Sequence, residues 1–242
     1  MSFSIFSRSQ KRRARTVFLF LADERVYRKP KKSDIQPGMT DHRRYSASAA
    51  RNRDPILDVL RGELPSSGLV LEVASGTGEH VVHFAQRNPD IIFQPSDPST
   101  EALQSIASWT EATGLKNIRP PIRLDVLEQD WPVQSVDAVF CCNMIHIAPW
   151  EACRGLIAGA GRIMGSPSPL IFYGPFLRAG VETAPGNRAF DLDLRQRNPD
   201  WGIRHLDAVS KLAAEAGFSE PVVTEMPANN LCVCLRRQSA HG

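Results

Sequence analysis

Carboxylates and glycines recur along the chain at a spacing that suits the binding of a ribose-containing ligand. Glu72 is followed by a turn that contains Gly76 and Gly78. Asp97 lies 21 residues after Gly76, and Asp125 follows a further apolar segment. Glycines let a backbone turn tightly and approach a ligand, because no Cβ intervenes. A carboxylate beyond the end of a strand can accept hydrogen bonds from both ribose hydroxyls.

Each of these residues also has a purely structural interpretation. Glu72 could cap backbone donors of the turn, Asp97 could start a helix at Pro98-Ser99, and Asp125 could cap a turn. Two phosphate-binding motifs fit poorly. A dinucleotide-binding turn needs a third glycine where Val81 stands, and the Gly-Lys-Ser/Thr of a Walker loop is absent from the sequence.

Apolar runs that alternate with helical segments predict the elements that position these residues. Strands are expected at 69–73, 91–95, 122–124, 136–142, 170–173, 222–225 and 231–235, and helices at 80–86, 101–112, 150–164 and 206–216. A further helix is expected within 42–64, with its start at Thr40-Asp41. This order predicts an α/β fold with a mostly parallel sheet covered on both faces. The last two strands lack an intervening helix, so one of them should run antiparallel. Ligands of such sheets bind beyond the carboxyl ends of the strands, where the three carboxylates fall.

The charge of the chain is divided unevenly between two regions. Residues 1–38 carry a formal charge of +7 and residues 39–242 a charge of −4. We expect 1–38 to be a basic N-terminal extension, which is disordered, an organelle transit segment or the product of a start assigned too early. Met39 favours the last interpretation. Residues 39–242 are expected to form one domain.

Composition excludes several classes of protein and partner. No stretch reaches the length of about 18 apolar residues that a membrane helix needs. Five cysteines, an odd number, lie in apolar segments, which indicates buried thiols in a reducing, cytoplasmic setting rather than disulfides. We expect no metal site. The acidic body shows no basic groove, so stable nucleic-acid binding is not expected. Nothing in the sequence indicates an oligomeric state.

The turn after the first strand resembles motif I of class I S-adenosylmethionine-dependent methyltransferases, whose pattern is acidic-x-Gly-x-Gly-x-Gly. It falls on Glu72, Ala74, Gly76 and Gly78. Ala74 replaces the first glycine, which should be tolerated if that residue only packs. The resemblance implies S-adenosylmethionine as cofactor and a Rossmann-like three-layer sandwich, with a seven-stranded, mostly parallel sheet and an antiparallel last strand. The cofactor-binding candidates are Glu72, Ala74, Ser75, Gly76, Gly78, Asp97, Asp125, Asn143 and Arg51.

A longer set of segments resembles the methyltransferase-like 26 family, between about Met39 and Arg237. The segments are Arg43-Arg44-Tyr45, Ala50 to Ile56, Leu71 to His80, Gln94 to Asp97, Asn143 to Trp150, Tyr173 to Phe176, Asn198 to Arg204 and Met226 to Asn230. This resemblance implies the same fold and cofactor, and it implies no substrate.

Two residues at strand ends are the catalytic candidates. His146 follows the fourth strand, and its imidazole could act as a base; alternatively, it hydrogen-bonds backbone at a helix entry. Tyr173 ends the fifth strand and either closes over a substrate or belongs to the core. The insertion 183–204 is expected to contain a lid. Within it, Asp191 and Arg195, at four-residue spacing, either bind a polar substrate or form an ion pair on a short helix, and the ion pair is favoured.

The sequence therefore predicts a methyltransferase that transfers a methyl group to the oxygen, nitrogen or sulfur of a small molecule. One alternative is a non-catalytic module that binds S-adenosylmethionine with the same fold. A nicotinamide oxidoreductase is disfavoured by the missing third glycine.

Overall fold

Seven strands form the central sheet in a computed structural model, which describes residues 41–239. The strands are β1 (Gly68–Val73), β2 (Ile91–Asp97), β3 (Ile122–Arg123), β4 (Ala138–Cys142), β5 (Pro169–Gly174), β8 (Val222–Met226) and β9 (Asn230–Arg236). Their order is β3-β2-β1-β4-β5-β9-β8. Only β9 is antiparallel to its neighbours β5 and β8. The predicted sheet with an antiparallel last strand is confirmed. The predicted extension 1–38 lies outside the described residues.

Helices cover both faces of this sheet. They are α1 (Ala47–Glu63), α2 (Glu79–Arg87), α3 (Thr100–Thr113), α4 (Trp150–Ile163), α5 (Pro185–Arg197) and α6 (Leu206–Glu215). One buried apolar cluster joins α1, α2 and α3 to one face, and a second joins α4 and α6 to the other. A small parallel pair, β6 (Phe176–Leu177) with β7 (Arg204–His205), lies outside the main sheet. None of the helices within 41–239 has the length and apolar character needed to span a bilayer.

The first helix begins later than the sequence predicts. Ser46 is its N-cap and accepts a hydrogen bond from the Ala49 N–H at 3.3 Å. Asp41 instead forms an ion pair with Arg43 at 2.9 Å. A start at Thr40-Asp41 is therefore wrong, because Ser46 supplies the side-chain oxygen that satisfies a free N–H of the first turn.

Alternation along the strands decides which side chains meet at the carboxyl-end edge of the sheet. Val70 points to the face covered by α1 to α3, while Leu71 and Val73 point to the opposite face. Glu72 therefore shares the face of Val70, and Tyr173 of β5 lies on this face as well. The carboxyl ends of β1, β2, β4 and β5 lie at one edge, so the side chains at these ends are brought together.

Gly78 controls how closely α2 approaches α3. Its φ is +89°, and a Cβ at this position would lie 2.9 Å from the Cα of Ile106. Both the backbone conformation and the helix contact thus require the absence of a side chain.

We predict that Gly78→Ala lowers the free energy of unfolding by roughly 2–4 kcal/mol. The alanine would be strained by the left-handed backbone conformation, and its Cβ would clash with the backbone of α3. The matched control is Gly62→Ala in α1, where a Cβ meets nothing within 4 Å. That control should raise the free energy of unfolding by up to about 1 kcal/mol, since alanine favours helix. Urea unfolding measures both, and equal effects would contradict the interpretation.

Candidate functional site

The turn after β1 is held in a left-handed conformation and tied to β2. Ala74, Gly76 and Gly78 have φ values of +56°, +58° and +89°. The Gly76 N–H donates to Asp97 Oδ2 at 3.0 Å, and the Ser99 N–H donates to Asp97 Oδ1 at 2.9 Å. Asp97 therefore accepts hydrogen bonds from both the turn and the start of α3. It lies at the strand end where a ribose-binding carboxylate was predicted, and it also stabilises the start of a helix, which was the structural alternative.

Ala74 adopts a left-handed backbone conformation in addition to packing. With a φ of +56° it occupies the region that glycine adopts freely and that other residues enter at about 1–2 kcal/mol. The replacement of the first motif glycine is consequently a source of strain in this turn.

Ser75 connects the ends of β1 and β2. It is buried, and its hydroxyl donates to the carbonyl of Glu72 and accepts from the Ser96 N–H, each at 3.2 Å. The Ser96 hydroxyl donates to the same Glu72 carbonyl at 2.8 Å. These bonds organise the backbone beneath the turn.

The carboxyl group of Glu72 is buried beneath the turn and is held mainly in its protonated form. Burial raises its pKa to about 8, and the nearby charge of Asp97 acts in the same direction. Its Oε2 receives no hydrogen bond from residues 41–239. A buried oxygen without a partner costs about 1–3 kcal/mol, so this atom is available to a ligand donor.

Asp125 is half-buried after a strand, whereas Arg51 is exposed on a helix. Asp125 follows β3, is half-buried, and accepts from the Leu127 N–H at 3.0 Å with one oxygen. Its other oxygen receives no hydrogen bond within 41–239. Arg51 is exposed on α1, and no hydrogen bond or ion pair within residues 41–239 joins its side chain to the turn.

Asn143 and His146 meet beside the end of β5. Asn143 has a φ of +59°, and its N–H donates to the Tyr173 carbonyl at 2.8 Å. A Cβ on Gly174 would lie 2.7 Å from His146 Nε2 and 2.9 Å from Asn143 Oδ1. Gly174 thus leaves space beside both polar atoms, and His146 Nε2 has no hydrogen-bond partner within residues 41–239.

The imidazole of His146 is completely buried and neutral. Its Nδ1 accepts from the Arg204 N–H at 3.3 Å, so the hydrogen of the neutral ring is carried by Nε2. Desolvation lowers its pKa to about 3, and the charge of Arg204 adds to this effect. The ring also packs edge-on against Phe176, with centroids 5.1 Å apart. This environment favours the backbone-binding interpretation of His146 over that of a free base.

Tyr173 belongs to the core on the α1 side, and its hydroxyl faces two amides. Burial raises its pKa to about 12, against the effect of hydrogen bonding from Asn52 and Asn230. Neither amide was predicted from the sequence to lie beside Tyr173. Asn52 Oδ1 lies 2.8 Å from His80 Nε2, and the Nδ2 of Asn230 donates to the Pro227 carbonyl at 3.1 Å.

Glu79 is a further residue that the sequence analysis missed. It is buried at the first position of α2 and accepts from the Ser46 N–H at 2.5 Å and the Thr77 hydroxyl at 3.0 Å. It thereby fixes the chain before α1 against the glycine turn. An acidic residue directly after the second glycine was the available signal, because carboxylates stabilise helix N-termini.

The insertion between β5 and α6 contains the helix α5. Asp191 and Arg195 form the predicted ion pair at 2.9 Å. Asp191 also accepts from the Ile203 N–H at 2.7 Å, which joins the end of the insertion to the helix.

Comparison with known families assigns the chain to a family. A family model described as "Protein of unknown function (DUF938)" matches residues 43–237. The chain belongs to this family. The match covers every strand of the main sheet, so the described fold is the fold of a DUF938 domain.

Solved structures show the same fold at low identity. An O-methyltransferase family protein from Burkholderia thailandensis is 16% identical with a TM-score of 0.67, over 80% of this chain and 58% of that one. Human N-acetylserotonin methyltransferase, solved with SAM, is 14% identical with a TM-score of 0.64, over 79% and 53%. An O-methyltransferase family 2 protein from Planctomyces limnophilus, solved with apigenin, is 17% identical with a TM-score of 0.63, over 76% and 61%. The DUF938 chain thus spans between half and two-thirds of these proteins, and it has the class I methyltransferase fold.

Glu72 provides a test of the buried carboxyl group. The folded state holds a proton on Glu72 up to about pH 8, whereas the ordinary pKa is 4.5. Since the folded state binds more protons between these values, stability falls as pH rises through this window. The side chain of Glu72→Gln stays uncharged at all pH values. The free energy of unfolding of this variant should therefore be about 1–3 kcal/mol higher than that of wild type at pH 8, and little higher at pH 5.

Urea unfolding at the two pH values measures this difference. The control is Glu220→Gln, at an exposed position, which should show no such pH dependence. A Glu72→Gln protein that is less stable by the same amount at both pH values would contradict the assignment.

Proposed function

We propose that the chain is an S-adenosylmethionine-dependent methyltransferase that acts on a small molecule. The observation that carries this proposal is the left-handed turn at residues 74–78, bonded through Gly76 to the Asp97 carboxylate at the carboxyl ends of β1 and β2. In an open α/β sheet, this is where a nucleoside-containing ligand binds.

The residues at the edge of the sheet suit the parts of this cofactor. Asp97 would accept from the ribose hydroxyls and Asp125, through its free oxygen, from the adenine amino group. Glu72, with its unpartnered buried oxygen, and Asn143 would bind the amino-acid end. Backbone groups of Ala74, Ser75, Gly76 and Gly78 would shape the contact surface. Arg51 remains a candidate for the carboxylate of the cofactor.

When bound, the cofactor would supply a methyl group: its bond to the sulfonium sulfur would break with the electrons left on sulfur, a bond would form to the acceptor atom, and the acceptor's proton would be released to bulk solvent. The protein has to align the acceptor and exclude water. His146 and Tyr173 are proposed as the residues that do this on the acceptor side. His146 would act by position, because its Nδ1 is occupied and its Nε2 carries hydrogen.

The proposal also covers the extent of the domain, its family, its location and the class of its acceptor. We propose residues 39–242 as the methyltransferase domain and a relation to the methyltransferase-like 26 family. Several of the segments that carry this resemblance lie at the site, among them Asn143 to Trp150 and Tyr173 to Phe176. Five free thiols support a reducing, cytoplasmic location. The formal charge of −4 over residues 39–242 supports a small molecule rather than nucleic acid as acceptor.

Binding of the cofactor tests the proposal directly. Wild type should bind S-adenosylmethionine and S-adenosylhomocysteine in isothermal titration and should not bind NAD. Asp97→Ala should weaken binding by about 10–100-fold, because hydrogen bonds to a carboxylate are lost. Asp130→Ala, at an exposed acidic position, is the matched control and should bind as wild type. Absence of sulfur-ligand binding by wild type would refute the cofactor assignment.

A non-catalytic binding module is the second candidate. The observation in its favour is that neither His146 nor Tyr173 has a pKa near neutrality. The two functions differ in whether label moves from methyl-labelled S-adenosylmethionine into a protein-free small-molecule extract.

We predict that wild type transfers label and that His146→Gln does so at least about tenfold more slowly, because acceptor alignment is lost. Its affinity for S-adenosylhomocysteine should stay within about twofold. His205→Gln, at an exposed position, is the control and should label as wild type. Equal rates for wild type and His146→Gln would remove His146 from the mechanism, and no transfer by wild type would favour the binding module.

A further inference from the structure

Asn52 of α1 lies between the helix that follows the glycine turn and the end of β5. Its Oδ1 is 2.8 Å from Nε2 of His80, the second residue of α2. Its amide also faces the hydroxyl of Tyr173, which Asn230 at the start of β9 faces as well. Asn52 therefore joins the first turn of α2 to a residue on the acceptor side of the proposed methyltransferase site.

The His80 ring fixes the orientation of the Asn52 amide. The ring is half-buried and stacks on Phe84, with centroids 5.5 Å apart and planes inclined by 13°. Desolvation, followed by neighbouring charges, lowers its pKa to about 4, so the ring carries a single hydrogen at neutral pH. Because an amide oxygen only accepts, this hydrogen lies on Nε2, and the Nδ2 group of Asn52 is left to face Tyr173.

Two amide groups thus donate toward the Tyr173 oxygen. Asn230 uses one Nδ2 hydrogen for the Pro227 carbonyl at 3.1 Å, which leaves the other for Tyr173. Both amides act on the pKa of Tyr173 in the downward direction, against desolvation, as donors to a phenol oxygen do. With both lone pairs occupied, the oxygen is left only with its own hydrogen to donate.

The Tyr173 hydroxyl finds no acceptor for this hydrogen within residues 41–239. Tyr173 is buried one residue before the end of β5, and it pairs with Cys142 at the end of β4. It therefore lies at the edge of the sheet where the cofactor and the methyl acceptor are proposed to meet. A buried hydroxyl that lacks an acceptor in the protein is stabilised by a ligand that supplies one.

We propose that Asn52 is a positioning residue, which holds the Tyr173 hydroxyl so that its hydrogen is donated to the bound methyl acceptor. This inference rests on the proposed methyltransferase function. The acceptor molecule then presents to Tyr173 an oxygen or nitrogen atom with a free lone pair. Tyr173 acts as a hydrogen-bond donor and does not remove the proton of the acceptor.

The tautomer of His80 tests the orientation of Asn52 without any substrate. In ¹⁵N NMR spectra of the histidine-labelled full chain at pH 7, His80 should carry its hydrogen on Nε2. Loss of these signals in His80→Gln assigns them. A hydrogen on Nδ1 would overturn the inference, because the amide would then be reversed and its oxygen would accept from Tyr173.

Asn52→Asp tests the role in transfer, since a carboxylate of the same shape accepts from His80 and cannot donate to Tyr173. The Tyr173 hydroxyl would turn to the carboxylate, and label transfer from methyl-labelled S-adenosylmethionine into a protein-free small-molecule extract should fall at least about tenfold. Asn52→Ser, whose shorter side chain cannot contact both partners, repeats the loss should Asn52→Asp fail to fold. Gln86→Glu is the matched control, because it makes the same change of amide to carboxylate at an exposed position of α2, and it should label as wild type.

A double variant separates positioning from a merely structural role. Tyr173→Phe should also slow transfer at least about tenfold, and Asn52→Asp combined with Tyr173→Phe should be within about twofold of the slower single variant. S-adenosylhomocysteine should bind all of these variants within about twofold of wild type in isothermal titration.

The inference alone is overturned if the two effects multiply, if Asn52→Asp transfers label as fast as wild type, or if Asn52→Asp loses affinity for S-adenosylhomocysteine. Failure of wild type to bind S-adenosylhomocysteine or to transfer label would instead refute the proposed function, and the role of Asn52 with it.

Discussion

The hydrogen bond between the Gly76 N–H and the Asp97 carboxylate is the contact on which the site depends. It joins the turn after β1 to the end of β2 at 3.0 Å. The turn contains three left-handed residues, and one of them, Ala74, is not glycine. Such a backbone persists only when surrounding contacts hold it in place. Glu79 adds a second attachment from the segment before α1, so the surface offered to a ligand is shaped before the ligand arrives.

Burial sets the charge state of two side chains near the carboxyl ends of the strands. Desolvation lowers the pKa of His146 and raises that of Tyr173, so both side chains are uncharged at neutral pH. The carboxylates of Asp97 and Asp125 lie at the same edge of the sheet.

Much of the fold was predictable from local pattern. Apolar runs of strand length and the glycines that end helices are signals carried by neighbouring residues, and the structure places its strands and helices close to them. The start of α1 was predicted wrongly, because Thr40-Asp41 and Ser46 are both suitable caps and only the contact of Ser46 with Glu79 distinguishes them. The proximity of the turn at residues 74–78 to Asp97 was predictable from spacing, since successive parallel strands bring their carboxyl ends to one edge.

The sequence by itself determined the alternation of strands and helices, the antiparallel last strand and which strand ends carry polar side chains. Tertiary structure alone decided the protonation of Glu72 and His146, because a pKa depends on the solvent that packing excludes. It also decided that Asn52 and Asn230, which lie 121 and 57 residues from Tyr173 in the chain, face the hydroxyl of that residue. Contacts between such distant segments leave no periodic signal in the sequence, since they arise only when helices and strands pack.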